Sequence, residues 1–239
     1  MTQQRREQVT VDAGSFDLHL WLPPSGRGPG VLLIQEIFGV GPYIRDVAER
    51  LAAAGYVVGA PDVFWRFHPN YVAEHTPEGI QASIEKAGQL DPQHAVSDCV
   101  AALRRLGEVP EVDDRPGVLG FCLGGTLAFG VAAAGDPRCC VSYYGSNVPQ
   151  MLDLVPEIRC PTLLIFGDQD PYIPFEGVAD VRDELADDPR FIVHIEHAGH
   201  AFDNHKAPMF YNEAAADAAW AQTSAFLAEH LPTASGAAS

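Results

Sequence analysis

The sequence predicts an α/β fold built on a mainly parallel sheet with helices on both faces. Three observations carry that expectation. Short apolar runs of strand length recur along the chain, as "GVLLIQE", "GYVVGAP", "RPGVLGF", "CCVSYYG", "CPTLLIFG" and "RFIVHIE". Stretches with helical periodicity separate most of them. The runs are continuously apolar rather than alternating, which is the pattern of strands covered on both sides.

Taken in order, "VTVDAGSFDLHLWLP" alternates apolar and polar residues on either side of Gly14-Ser15 and predicts an antiparallel hairpin turning there. After the first buried run, Ile44, Val47, Ala48, Leu51 and Ala52 fall at helical spacing and predict a covering helix. Residues 61–92 are rich in aromatics at their start and helical toward their end. They either fold over the strand ends as a small cap or pack as ordinary surface. "GGTLAFGVAAA" predicts a further helix. With 239 residues and 47% hydrophobic content, one core suffices, so a single domain over residues 1–231 is expected, with 232–239 a disordered tail.

Composition narrows the function classes. A formal charge of -17, from 32 acidic against 15 basic residues, repels phosphate backbones, and no basic stripe with interleaved aromatics is present. Nucleic acid is not an expected partner. No apolar run approaches the roughly 18 residues needed to span a bilayer, and "MTQQRREQVTVD" lacks a signal-type apolar core, so no membrane partner and a cytoplasmic location are expected. Five cysteines, including the adjacent Cys139-Cys140, read as reduced thiols. His197 and His200 have ligand-like spacing, but clustered zinc-type ligands are lacking, so neither metal nor cofactor is expected. The expected assembly is a monomer or small homo-oligomer.

Ligands of parallel α/β sheets bind at the carboxyl ends of the strands. There, "GFCLGG" at 120–125 has the spacing of the G-x-S-x-G nucleophile turn, with Cys122 in the serine position and a strand and a helix on the required sides. The helix N-terminus behind such a turn favours thiolate. The motif alone leaves filler, redox sensor and nucleophile open. Asp170 in "FGDQDPYIP" and His200 in "EHAGHAFDN" supply an acid and a base on later strand ends, in the chain order nucleophile, Asp, His. Asp168 is expected to cap its loop, and His197 to bond locally. His68 and His75, in the 61–92 segment, are expected on the surface. Glu36 ends the first buried run and is either part of the site or a solvated charge.

"QEIFGV", "GFCLGG", "GDQDPYIP" and "AGHAF", in this order, together with "LAAAGYVVGAPDVF" and "VSYYG", resemble the dienelactone hydrolase (carboxymethylenebutenolidase) family of α/β-hydrolases over about residues 30–226. The resemblance implies an α/β-hydrolase fold and hydrolysis of a small lactone or ester. It implies Cys122 as nucleophile, His200 as base and later acid, Asp170 as its orienter, and the Ile37 and Leu123 backbone N–H groups as oxyanion donors. Glu36 matches a glutamate that lies beside the cysteine and takes part in its activation. A neighbouring carboxylate opposes thiolate formation, so Glu36 is expected to keep a thiol not yet engaged by histidine neutral until substrate displaces it.

The dienelactone enzymes hold a substrate carboxylate with arginines, one of them a few residues after the histidine. Here that place is Asn204, preceded by Asp203. Lys206, Arg45 and Arg66 are the remaining candidates, and residues 74–90 contain Lys86 but no arginine. The expected substrate-binding residues are Phe38, Tyr144, Phe202 and Asn204. Phe64, Trp65, Phe67, Tyr71 and Tyr143 either suit an apolar lactone or ester or belong to the core. A carboxylesterase or thioesterase using the same residues, and a non-catalytic thiol sensor, are the alternative readings.

Overall fold

The structure is a computed structural model that describes residues 3–234. Its strands are β1 (Gln3–Val11), β2 (Gly14–Leu22), β3 (Gly30–Ile34), β4 (Val57–Pro61), β5 (Gly117–Phe121), β6 (Cys140–Tyr143), β7 (Thr162–Gly167) and β8 (Phe191–Glu196). They form one sheet in the order β1-β2-β4-β3-β5-β6-β7-β8. Pairing is antiparallel from β1 through β2 to β4 and parallel from β4 to β8. Each expected apolar run is a strand, and β3 to β7 are buried throughout.

The hairpin differs from expectation in its turn. Val11 pairs with Gly14 and Thr10 with Ser15, so the turn is Asp12-Ala13 and the Gly-Ser pair opens β2. A two-residue loop matches the twist of the paired strands, and Gly14 absorbs the unusual backbone there with φ +144°.

The helices are α1 (Pro42–Ala53), α2 (Pro77–Ala87), α3 (Pro92–Gly107), α4 (Leu123–Ala134), α5 (Phe175–Leu185) and α6 (Glu213–His230). Two of them begin with a side-chain cap followed by proline. Thr76 accepts from the Gly79 N–H before Pro77, and Asp91 accepts from the His94 N–H before Pro92. α4 is apolar on nearly all sides, as its position against β5, β6 and α3 requires.

The 61–92 segment crosses the carboxyl ends of the strands. A β-bridge joins Gly39 to Val72, the Ala73 N–H donates to the Phe38 carbonyl, and α2 brings Ile80 and Ile84 over the site. Of the expected disordered tail, 232–234 are described, and Thr233 packs against Gly55; 235–239 lie outside the described residues.

Close backbone packing makes two glycines respond oppositely to alanine. A Cβ on Gly124 would lie 2.2 Å from the Ile34 carbonyl oxygen and 2.6 Å from that of Gln35. Gly124→Ala should therefore lower stability by about 3 kcal/mol, read from the urea midpoint. Gly88 closes α2 in an ordinary helical conformation, and its Cβ would meet nothing closer than 3.5 Å. Gly88→Ala should raise stability by about 0.5 kcal/mol in the same measurement.

Candidate active site

Cys122 sits between β5 and α4 with φ 56° and ψ -115°. A non-glycine residue held in such a region costs on the order of 1–3 kcal/mol, and persists only where its surroundings dictate it. They do so here. A Cβ on Gly120 would lie 2.0 Å from the Gly124 carbonyl oxygen, and Gly124 has no more room. The Cys122 N–H donates to the Tyr143 carbonyl at 3.0 Å, and its own carbonyl accepts from Thr126 at 3.1 Å. Tyr144 and Ala201, at the ends of neighbouring elements, also have positive φ, 37° and 55°.

The parallel sheet brings three strand ends together. His200, after β8, places Nε2 3.1 Å from the Cys122 Sγ and Nδ1 2.6 Å from the Asp170 Oδ2. The other oxygen of Asp170 accepts from the Tyr172 N–H at 2.8 Å, which fixes the carboxylate. The imidazole packs against two aromatic rings, with centroids 5.1 Å away at Tyr144 and 5.0 Å away at Tyr172. Burial works against the imidazolium, but the negative charge at Cys122 and the hydrogen bond to Asp170 outweigh it and push the His200 pKa up to about 10. Asp168 instead pairs with His197 at 2.9 Å on an exposed flank. Two Asp–His pairs thus stand side by side, and only the buried one reaches the sulfur.

Glu36 departs from expectation. Asn204 Nδ2 donates to both of its carboxylate oxygens, at 3.2 and 3.0 Å, and His75 Nε2 lies 2.9 Å from Oε1. Glu36 is engaged by these partners and the Cys122 sulfur by His200, with no hydrogen bond between Glu36 and Cys122 among the described residues. His75 is not the surface residue expected: its side chain is 9% exposed and packs 4.2 Å from the Phe38 ring. Its place in an irregular polar stretch left no sequence signal for this contact.

These residues border a cavity of about 340 Å³. Glu36, Ile37, Phe38, Cys122, His200 and Asn204 line it as expected, and Ile80, Ile84, Tyr172 and Phe210 complete its apolar wall. Tyr144 and Phe202 do not line it. Both are fully buried behind the imidazole, 5.4 Å apart, and shape the site from beneath. None of the candidate cations lines it either. Arg66 forms a two-pronged ion pair with Asp98, Arg45 donates to the Val40 carbonyl, and Lys206 pairs with Asp46. Phe64 is fully buried core, while Trp65 stacks on Phe16 and Tyr71 reaches Ser83.

The Leu123 amide directly follows Cys122, and Ile37 follows Glu36 in the loop after β3 and lines the cavity. Neither donates to a backbone acceptor among the turn, loop and cap bonds of the described residues. The other four cysteines are buried, and burial raises their thiol pKa values, that of Cys139 to about 12.

A strained cysteine between strand and helix, joined to histidine and aspartate on later strand ends of this sheet, defines an α/β-hydrolase. A 24% identical dienelactone hydrolase-like promiscuous phosphotriesterase from metagenomic libraries shares the fold with a TM-score of 0.81, covering 96% of this chain and 99% of its own. The dienelactone hydrolase family profile matches residues 16–231. The carboxymethylenebutenolidase of Pseudomonas sp. is 34% identical over 212 residues, 87% of this chain and 89% of its own. That of Cupriavidus pinatubonensis is 32% identical over 223 residues, 93% and 95% of the two chains. The chain belongs to the dienelactone hydrolase family: it is a hydrolase acting on a lactone or ester.

The coupling between Cys122 and His200 has a direct readout. The imidazolium should persist through neutral pH and titrate near 10 by NMR of the ring nitrogens. Its stabilising effect on the fold is then complete below the ordinary value of 6.5 and is lost as pH rises toward 10. Cys122→Ala removes the sulfur's charge, lets burial count for more, and should lower the His200 pKa by about a unit or more.

Proposed function

We propose that Cys122, His200 and Asp170 carry out hydrolysis of a lactone or ester by acyl transfer. The observation that supports this most directly is the pair of contacts made by His200, 3.1 Å to the sulfur and 2.6 Å to the aspartate. The sulfur attacks the carbonyl carbon, forming a C–S bond, while the thiol proton resides on His200. The carbonyl oxygen becomes an oxyanion, held by the Ile37 and Leu123 N–H groups, each worth about 3 kcal/mol in such sites. Collapse of this intermediate breaks the bond to the alkoxy oxygen, and His200 gives that oxygen its proton.

The acyl-enzyme is a thioester, and its sulfur carries no charge. The field that raised the His200 pKa is then largely gone, so the imidazole becomes a competent base. It takes a proton from water, the hydroxide attacks the thioester carbon, and the acid leaves as the sulfur regains its electron pair. Asp170 orients the ring and stabilises the imidazolium at each stage. Tyr144 and Tyr172 pack against the ring, which limits its rotation.

Two measurements test this reading. Cys122→Ala should lower ester turnover by at least about a thousandfold, and Asp170→Asn by about a hundredfold or more. Rapid quenching of wild-type protein with an activated ester should show a mass gain of one acyl group on the Cys122 peptide. Undiminished turnover in Cys122→Ala overturns the assignment.

A further inference from the structure

Resting on the acyl-transfer reading above, the lining of the cavity carries a further conclusion about its substrate. We infer that the site takes an uncharged ester or lactone with an apolar acyl group and rejects one whose acyl group bears a carboxylate. The selecting device is the cavity wall itself: Phe38, Ile80, Ile84 and Phe210 are apolar, and no lysine or arginine stands among the lining residues.

The lining side chains offer an anion no free cationic partner. His200 is the lining side chain able to carry positive charge, and both of its nitrogens are committed, to Asp170 and Cys122. The Asn204 side-chain N–H groups point to Glu36, while its Oδ1 accepts from the Lys206 N–H at 3.0 Å and so fixes the amide's orientation. His75, which approaches Glu36 from the 61–92 segment, is committed to the same carboxylate. Among the described residues, the lining side-chain donors with no hydrogen-bond partner are the Ser146 and Tyr172 hydroxyls, both neutral and suited to an ester oxygen. An acyl carboxylate packed against Phe38, Ile80, Ile84 and Phe210 would lose its hydration with no cation to replace it. The overall charge of -17 adds long-range repulsion, and neither lysine nor arginine lines the cavity.

The mouth of the cavity continues the same chemistry. Ile84 and Tyr172 line it and are 47% and 55% exposed. Exposed Phe175 follows three residues after Tyr172, and exposed Met209 and Tyr211 flank the lining residue Phe210. A run of large apolar side chains left open to water around a reactive cysteine is costly unless something apolar uses it. An alkyl or aryl portion of a neutral ester does so.

The test compares p-nitrophenyl butyrate and p-nitrophenyl hemisuccinate, which share the acyl chain and differ in a terminal methyl against a terminal carboxylate. The wild-type protein should prefer the butyrate at least tenfold in kcat/KM, with both rates abolished in Cys122→Ala. Ile84→Arg serves as the variant: this exposed position on α2 supplies a cation at the mouth and should shrink the preference through KM for the hemisuccinate. Equal or faster Cys122-dependent hydrolysis of the hemisuccinate overturns the inference while leaving the acyl-transfer reading intact. Failure of both esters to acylate Cys122 overturns that reading, and the inference with it.

Discussion

The approach of the first turn of α4 to the end of β3 is the constraint on which the site depends. Gly124 lies so close to the Ile34 and Gln35 carbonyls that no side chain fits between helix and strand. That contact forces the chain to reverse within one residue, and the reversal gives Cys122 its positive φ. The sulfur consequently stands clear of the sheet end, with the helix N-terminus behind it and the Glu36–Ile37 loop beside it. The hydrogen bonds to His200 and Asp170 are then a matter of parallel register, since β5, β6, β7 and β8 deliver their following loops to one edge.

A second polar unit occupies the opposite wall and is independent of the first. Glu36, Asn204 and His75 come from the loop after β3, the loop after β8 and the 61–92 segment, and they satisfy one another. Their mutual engagement leaves the thiol to histidine. It also ties the segment that carries Ile80 and Ile84 to the end of the central strand, so that the apolar wall and the reactive centre are held by a common set of hydrogen bonds.

The strands were legible because burial on both faces writes itself as uninterrupted apolar runs, and Cys122, Asp170 and His200, which the structure brings into contact, stood out as candidates because each follows such a run. Asp170 was distinguishable from Asp168 by its position one turn further into the loop, and the structure pairs each with a different histidine. What sequence could not reveal depended on packing across distant segments. The His75 contact joins residues 39 positions apart. Tyr144 and Phe202 read as substrate contacts because they adjoin the site in the chain, yet their side chains turn inward beneath His200. The hairpin turn was misplaced by two residues because Gly-Ser resembles a turn pair wherever it occurs, whereas the register is set by the cross-strand partners.

Four of the five cysteines are sealed in the core, and their burial disfavours the ionised form that reacts with electrophiles. The fifth opens onto the cavity. The folded protein thus presents one thiol to thiol-directed reagents: one alkylation per chain reports the folded state, and any additional uptake reports opening of the core. Cysteine content that looks like a liability in composition becomes, through its placement, a built-in count of intact molecules.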